Sequence, residues 1–253
     1  MISVDKLKVS FSGFVAVDEI TFDVQPGQVV GILGSNGAGK SSTMKALAGI
    51  IRPESGAIVV DGHTLTSLKE EEQAKNVIGY CPDVGGLITG ATPREHLQLL
   101  LSLHKREEDY DLGLYLIHEI GLDKFIDTPV GGFSHGMSRR LSVVLATLAS
   151  KKVLILDEPF DGVDPIGVDA IEKIIHEAKS NGLAVVVCTH LQSILTRVVD
   201  DLVIMKNGQI VDRLPADALT GAEGEKRYKD ILEKSGATDV AETSTDADLG
   251  ANS

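Results

Sequence analysis

The sequence has 253 residues, of which 43% are hydrophobic and 24% charged, with 24 Lys and Arg against 37 Asp and Glu and a net charge of −13. A chain of this length buries roughly 70–75% of its unfolded surface in a core of its own, which excludes a disordered or fibrous protein. The acidic balance argues against a nucleic-acid partner or direct binding to anionic lipid, since both require clustered cations.

The opening MISVDKLKVS has no basic stretch leading into an apolar one, so a protein that is not secreted is expected. No apolar run approaches the roughly 18 residues of a membrane span, so any membrane attachment is expected to run through a protein partner. Val29–Leu33 reads as a buried strand, followed by glycines and a helix from about Lys40 to Gly49. Ala57–Val60 runs into the turn dipeptide Asp61-Gly62, which predicts antiparallel hairpin material in the early part of the chain. From about Tyr80 to Ser150 the pattern turns helical, with Leu97, Leu100, Leu101 and Leu103 on one face and Leu112, Leu116 and Ile120 on another. A helical subdomain at about 84–150, inserted into an α/β core, is expected.

Val153–Leu156 and Ala184–Cys188 are continuous apolar runs rich in β-branched residues, as strands covered on both faces are. Between them Ile171, Ile174, Ile175 and Ala178 recur at helical spacing, with Pro165 near the start and Gly182 just past the end. Strand, helix, strand of this kind predicts a parallel sheet. Residues 235–253 carry four acids and no bases and read as a disordered tail outside a domain at 1–234. Cys81 and Cys188 are expected to be free thiols.

Gly34-Ser35-Asn36-Gly37-Ala38-Gly39-Lys40-Ser41 fits the phosphate-loop pattern G-x-x-x-x-G-K-[ST] in full, with Ser42 continuing into the helix. A polyphosphate needs converging N–H donors. Glycines let the backbone curl close, and the following helix adds its positive end. Lys40 supplies a cation for the outer phosphates, and the Ser41 hydroxyl can ligate Mg²⁺. A P-loop NTPase core binding a nucleotide is therefore expected. Val153–Leu156 then ends in Asp157-Glu158-Pro159, which puts two carboxylates at the ligand-binding edge of such a sheet. Asp157 is the expected Mg²⁺ partner, and Glu158 is placed to polarise the attacking water.

Shortly before that strand, Phe133-Ser134-His135-Gly136-Met137 resembles the signature segment of the ABC-transporter ATPases. Other pieces resemble that family in the same order. Phe11 and Val17 match its adenine-contacting aromatic and the aliphatic residue beside it. Asp83 stands at the Q-loop position, Asp164 in the D-loop, and His190 at the switch histidine after the strand Ala184–Cys188. The helical insert, the FSHGM form and the acidic Q-loop residue are most similar to the ABC-2-type exporter ATPases. The resemblance spans about residues 1–234 and implies the ABC ATPase fold: a mostly parallel sheet, an antiparallel β subdomain and the helical insert.

It further implies catalytic roles for Glu158 and His190, Mg²⁺ contacts from Ser41, Asp157 and Asp83, and Ser134, His135, Gly136 and Met137 acting on the ATP of a second subunit. A head-to-tail dimer follows, most simply a homodimer, driving a separate membrane permease from the cytoplasmic face of the membrane. The residues departing from the family pattern are Asp83 for glutamine, His135 for the first signature glycine and Ser35 for a common proline. A soluble ABC-type ATPase without a transport role, and a nucleotide-gated module that does not hydrolyse, are the alternatives. Arg139 and Arg140 are expected to cap or pair within their helix, and His63, His96, His104, His118 and His176 to be surface or packing residues.

Overall fold

In the computed structural model, residues 1–67 and 69–241 are described, with 235–241 described by backbone alone. Strands β1 (Ile2–Phe11) and β2 (Phe14–Val24) form an antiparallel hairpin. Alternate side chains of β1 are buried, but the alternation slips at Lys6, whose φ of 46° marks a bulge between Val4 and Leu7. After β3 (Val29–Gly34) and helix α1 (Lys40–Leu47), β4 (Ser55–Val60) pairs with β1 and turns at Asp61-Gly62 into the short β5 (His63–Thr64). Both turn residues have positive φ, as a two-residue hairpin turn requires. These strands make a four-stranded antiparallel sheet in the order β2-β1-β4-β5.

Helix α2 (Glu71–Lys75) leads to β6 (Ile78–Cys81). Helices α3 (Pro93–His104), α4 (Tyr110–Glu119) and α5 (His135–Ala149) fill the stretch expected to be helical. Then come β7 (Val153–Asp157), α6 (Pro165–Ser180), β8 (Ala184–Cys188), α7 (Gln192–Val198), β9 (Asp201–Lys206), β10 (Gln209–Pro215) and α8 (Gly221–Ala241). The second sheet has the order β10-β9-β3-β8-β7-β6, parallel throughout except for β10. Helix α8 runs seven residues into the segment expected to be a disordered tail, and 242–253 lie outside the described residues.

The parallel sheet is covered on both faces, and its side chains divide between two cores with a period of two. Leu154, Leu156, Val185, Val187, Leu202 and Ile204 point to the core shared with α5, α6 and α7. Val153, Ile155, Val186, Cys188, Val203 and Met205 point to the core shared with α1 and the antiparallel sheet. Each such side chain contributes roughly 1.5–3 kcal/mol on burial. This is why these strands read as unbroken apolar runs. In the insert, Leu97, Leu101, Leu116 and Ile120 are buried as their spacing predicts, whereas Leu103 and Leu112 face outward. Helix α3 begins with a capping box between Thr92 and Glu95 and Pro93 in its first turn. His96 reaches back from it, accepting from the Ile88 N–H at 2.8 Å and bonding the Thr92 carbonyl, so it is a packing residue.

Cys81 and Cys188 are free, on strands separated by β7. Burial pushes the Cys81 thiol up to about 12 and that of Cys188 well above its ordinary value.

Helix α5 belongs to the insert at one end and lies against β6 at the other, where Gly79 meets the Ala146 carbonyl with no room for a Cβ. Gly79→Ala should therefore lower stability by about 1–3 kcal/mol through overpacking. Urea unfolding would show it as a lower midpoint at unchanged slope.

Candidate nucleotide site

The register of the parallel sheet brings four strand ends to one edge. Gly34 pairs with Met205, Ile32 with Cys188, Cys188 with Asp157, and Leu156 with Cys81. The loops leaving β3, β6, β7 and β8 therefore meet there, as ligand-binding loops of open parallel sheets do.

The loop after β3 needs its glycines. Gly37 and Gly39 have φ of 82° and 98°, and a Cβ on Gly39 would strike the Ala16 carbonyl. Helix α1 starts at Lys40 with no side chain capping it, which leaves its first amides to an anion. Lys40 is buried and folds back over the loop, donating to Gly34 O at 2.9 Å and Ser35 O at 3.2 Å. Around this loop lies an open cleft of about 290 Å³, lined by Phe14, Ala16, residues 36–42, Asp83 and Glu158.

Asp157 closes the base of the site and is 0% exposed. The Ser41 hydroxyl donates to its Oδ1 at 3.4 Å, while its buried Oδ2 has no hydrogen-bond partner. Burial, and then the charges of Asp83 and Glu158, push its carboxyl up to about 6. A buried carboxylate oxygen without a donor, beside a hydroxyl, fits a hard divalent cation, so Ser41 and Asp157 are a suitable donor pair for Mg²⁺. Glu158 follows with φ of 51° and donates its N–H to Cys188 O at 2.8 Å. Its Oε2 accepts from the His190 N–H at 3.3 Å and lies 3.1 Å from His190 Nδ1. His190 thus meets the cleft through Glu158 and is not itself on the wall.

The expected adenine contacts need correction. Val17 is 0% exposed and points into the core beneath the hairpin, so its side chain has no access to a ligand. Phe11 is 44% exposed but lies off the cleft wall, and the aromatic on that wall is its hairpin partner Phe14, 66% exposed. The signal for Phe14 was its two-residue spacing from Ala16, the small residue that leans on the phosphate loop.

The signature residues also lie off this wall. Ser134 caps α5, accepting from the Met137 N–H at 3.2 Å. His135 Nε2 lies 3.1 Å from Asp161 Oδ2, and Gly136 is pressed on the Gly162 carbonyl. Asp164 caps α6 by accepting from the Gly167 N–H at 2.9 Å. Arg139 and Arg140 do not pair within their helix. Arg140 donates to Ile120 O at 2.8 Å, and Arg139 reaches the loop after β6. Their heptad surroundings carry no acid that could have paired them, and the acceptors they use, backbone carbonyls and the Asp83 carboxylate, are distant in sequence.

A family model described as ABC transporter matches residues 17–161. The chain is 32% identical over 222 residues to the bacitracin transport ATP-binding protein of Bacillus licheniformis, covering 86% of this chain and 69% of that protein. It is 33% identical over 196 residues to the lipopolysaccharide export system ATP-binding protein of Haemophilus influenzae, covering 75% and 80%. A solved ATP-binding subunit of an ABC transporter superposes with a TM-score of 0.83 at 29% identity, covering 91% of this chain and 99% of that one.

Because the folded chain keeps a proton on Asp157 up to pH about 6 and the unfolded chain releases it near pH 3.8, folding binds protons in that window. Stability therefore falls as pH rises through it, by on the order of 2–3 kcal/mol. In buffer without nucleotide or divalent cation, Asp157→Asn should melt above the parent chain at pH 7.5, with the gain vanishing near pH 4. An unchanged or lower melting temperature at pH 7.5 would contradict this.

Proposed function

This chain belongs to the ABC transporter family as an ATP-binding, ATP-hydrolysing subunit, and from that premise we propose that it powers export through a separate membrane permease. The observation that carries this reading is the division of the site. Lys40, Ser41, Asp83 and Glu158 line one cleft, while Ser134 to Met137 stand outside it on α5. A second copy turned head to tail would bring its signature turn to the open side of the cleft and complete the ATP site.

In that arrangement the phosphate-loop amides and Lys40 bind the outer phosphates, and Phe14 offers an aromatic face for the base. Ser41 and Asp157 would hold Mg²⁺, with Asp83 at the cleft wall, and the metal would offset phosphate charge. Glu158 orients the attacking water and accepts its proton, with its carboxylate held by His190. Phosphoryl transfer needs positioning and charge balance above all, and a site assembled from two chains supplies both only when ATP bridges them. Hydrolysis removes the bridging contacts, and the pair reopens.

No helix among the described residues is long and apolar enough to cross a membrane, so transport in this reading requires the permease. Residues 83–96 are the proposed docking region, at the cytoplasmic face of the membrane. The export direction draws on the FSHGM signature form and on the lipopolysaccharide export relative.

Glu158→Gln should keep ATP binding while lowering kcat about 100-fold or more, and should leave an ATP-dependent dimer. Size-exclusion chromatography with and without ATP checks the dimer; hydrolysis at the parent rate would sink the role of Glu158. Lys40→Ala should weaken ATP binding by about tenfold or more, measured by equilibrium titration.

A further inference from the structure

The loop after β6 carries Asp83 to the cleft wall, and one side chain from another element holds it there. Arg139, in the second turn of α5, is 4% exposed. Its Nη1 donates to Pro82 O at 2.7 Å and to Asp157 O, at the end of β7, at 3.5 Å. Its Nη2 donates to the Asp83 carbonyl and, at 3.2 Å, to Asp83 Oδ1. A single planar guanidinium therefore fixes the loop backbone, the end of the strand bearing Asp157, and the carboxylate on the cleft wall.

Two consequences follow from this placement. Asp83, Asp157 and Glu158 are three acids at one site, and Arg139 sets a cation against the one that is not at the end of β7. Arg139 is also joined by little more than one helical turn to Ser134, the cap that opens the signature turn. A buried guanidinium stripped of its acceptors is strongly destabilised. Through these bonds Arg139 ties the loop after β6 to the signature end of α5 and to the end of β7.

We infer that Arg139 is a positioning residue for ATP hydrolysis, holding the Asp83 carboxylate on the cleft wall from the signature end of α5. The inference rests on Asp83 being a working cleft residue, and Asp83→Asn measured alone separates failure of that reading from failure of this one.

The test is a double-mutant cycle on the full chain with Arg139→Gln, Asp83→Asn and the pair, read by ATPase kinetics and amide hydrogen exchange. Arg139→Gln should lower kcat about tenfold with KM for ATP changed less than about threefold, and amides 83–86 should exchange faster. In the Asp83→Asn background the same substitution should change kcat by less than about twofold. Arg139→Lys, which keeps the charge but loses the fork, should recover part of kcat. Should Arg139→Gln fail to fold in a melting scan, Arg139→Lys carries the cycle with the same outcomes. An equal kcat loss in both backgrounds would make Arg139 structural only, and an unchanged kcat in the single variant would overturn the inference. Parent-like hydrolysis by Asp83→Asn would remove Asp83 from the reaction, and this inference with it.

Discussion

Asp157 ends a strand that is apolar on both faces, and its carboxylate is therefore held out of water without a cation in direct contact. That constraint organises the site. The two cores exist because alternate residues of β7 and β8 serve opposite faces of the sheet, and Asp157 is where that dry interior meets the loops. The Ser41 hydroxyl satisfies one oxygen, and the other is left for a charge that must come from outside. Before loading, the site opposes its own acids, since Asp83 and Glu158 both raise the Asp157 carboxyl. A nucleotide arriving with a divalent cation relieves this, so part of the free energy of loading comes from repulsion built into the folded chain.

Glu158 shows how the backbone serves the same end. A non-glycine residue in the left-handed region costs on the order of 1–2 kcal/mol. Here the conformation is held by the N–H bond to Cys188 O, one step past the last β7–β8 pair, and by the side-chain link to His190. The turn brings the carboxylate round to the cleft wall, where the extended path of β7 would have carried it onward. The strain sits where the chemistry does, and the neighbouring strand end over-determines it.

Particular residues show what was legible beforehand. The phosphate loop could be read because its backbone path admits only glycine at Gly37 and Gly39, so geometry is written as residue type. Strands β3, β7 and β8 could be read because burial on both faces demands continuous apolar runs. Helices α3 and α4 were visible in their leucine spacing, though Leu103 and Leu112 followed that spacing without being buried. The burial of Val17 and the place of Phe14 on the cleft wall were not legible because hairpin β1–β2 carries register shifts, and a one-residue slip exchanges the faces of every later side chain. Arg139 was invisible because its acceptors are the Asp157 carbonyl at the end of β7 and, more than fifty residues away, the carbonyls and half-exposed acid of the loop after β6, brought together only by the fold. Strands β9 and β10 and helix α8 lacked a motif to anchor them.

The contacts around the signature bear on how an ATP-bridged pair could close. The Ser134 hydroxyl already caps α5, the His135 ring packs over Gly162 beside Asp161, and the Asp164 carboxylate already caps α6. Gly162 has φ of 67° and no space for a Cβ against that ring, so its lack of a side chain lets the two segments touch. The start of α5 and the loop before α6 are thus one preassembled surface with its polar groups paired. A surface of this kind can dock and leave without refolding. Closure in the proposed dimer is then a rigid-body step, in which the ordering entropy of these two segments is already met within each chain before ATP arrives.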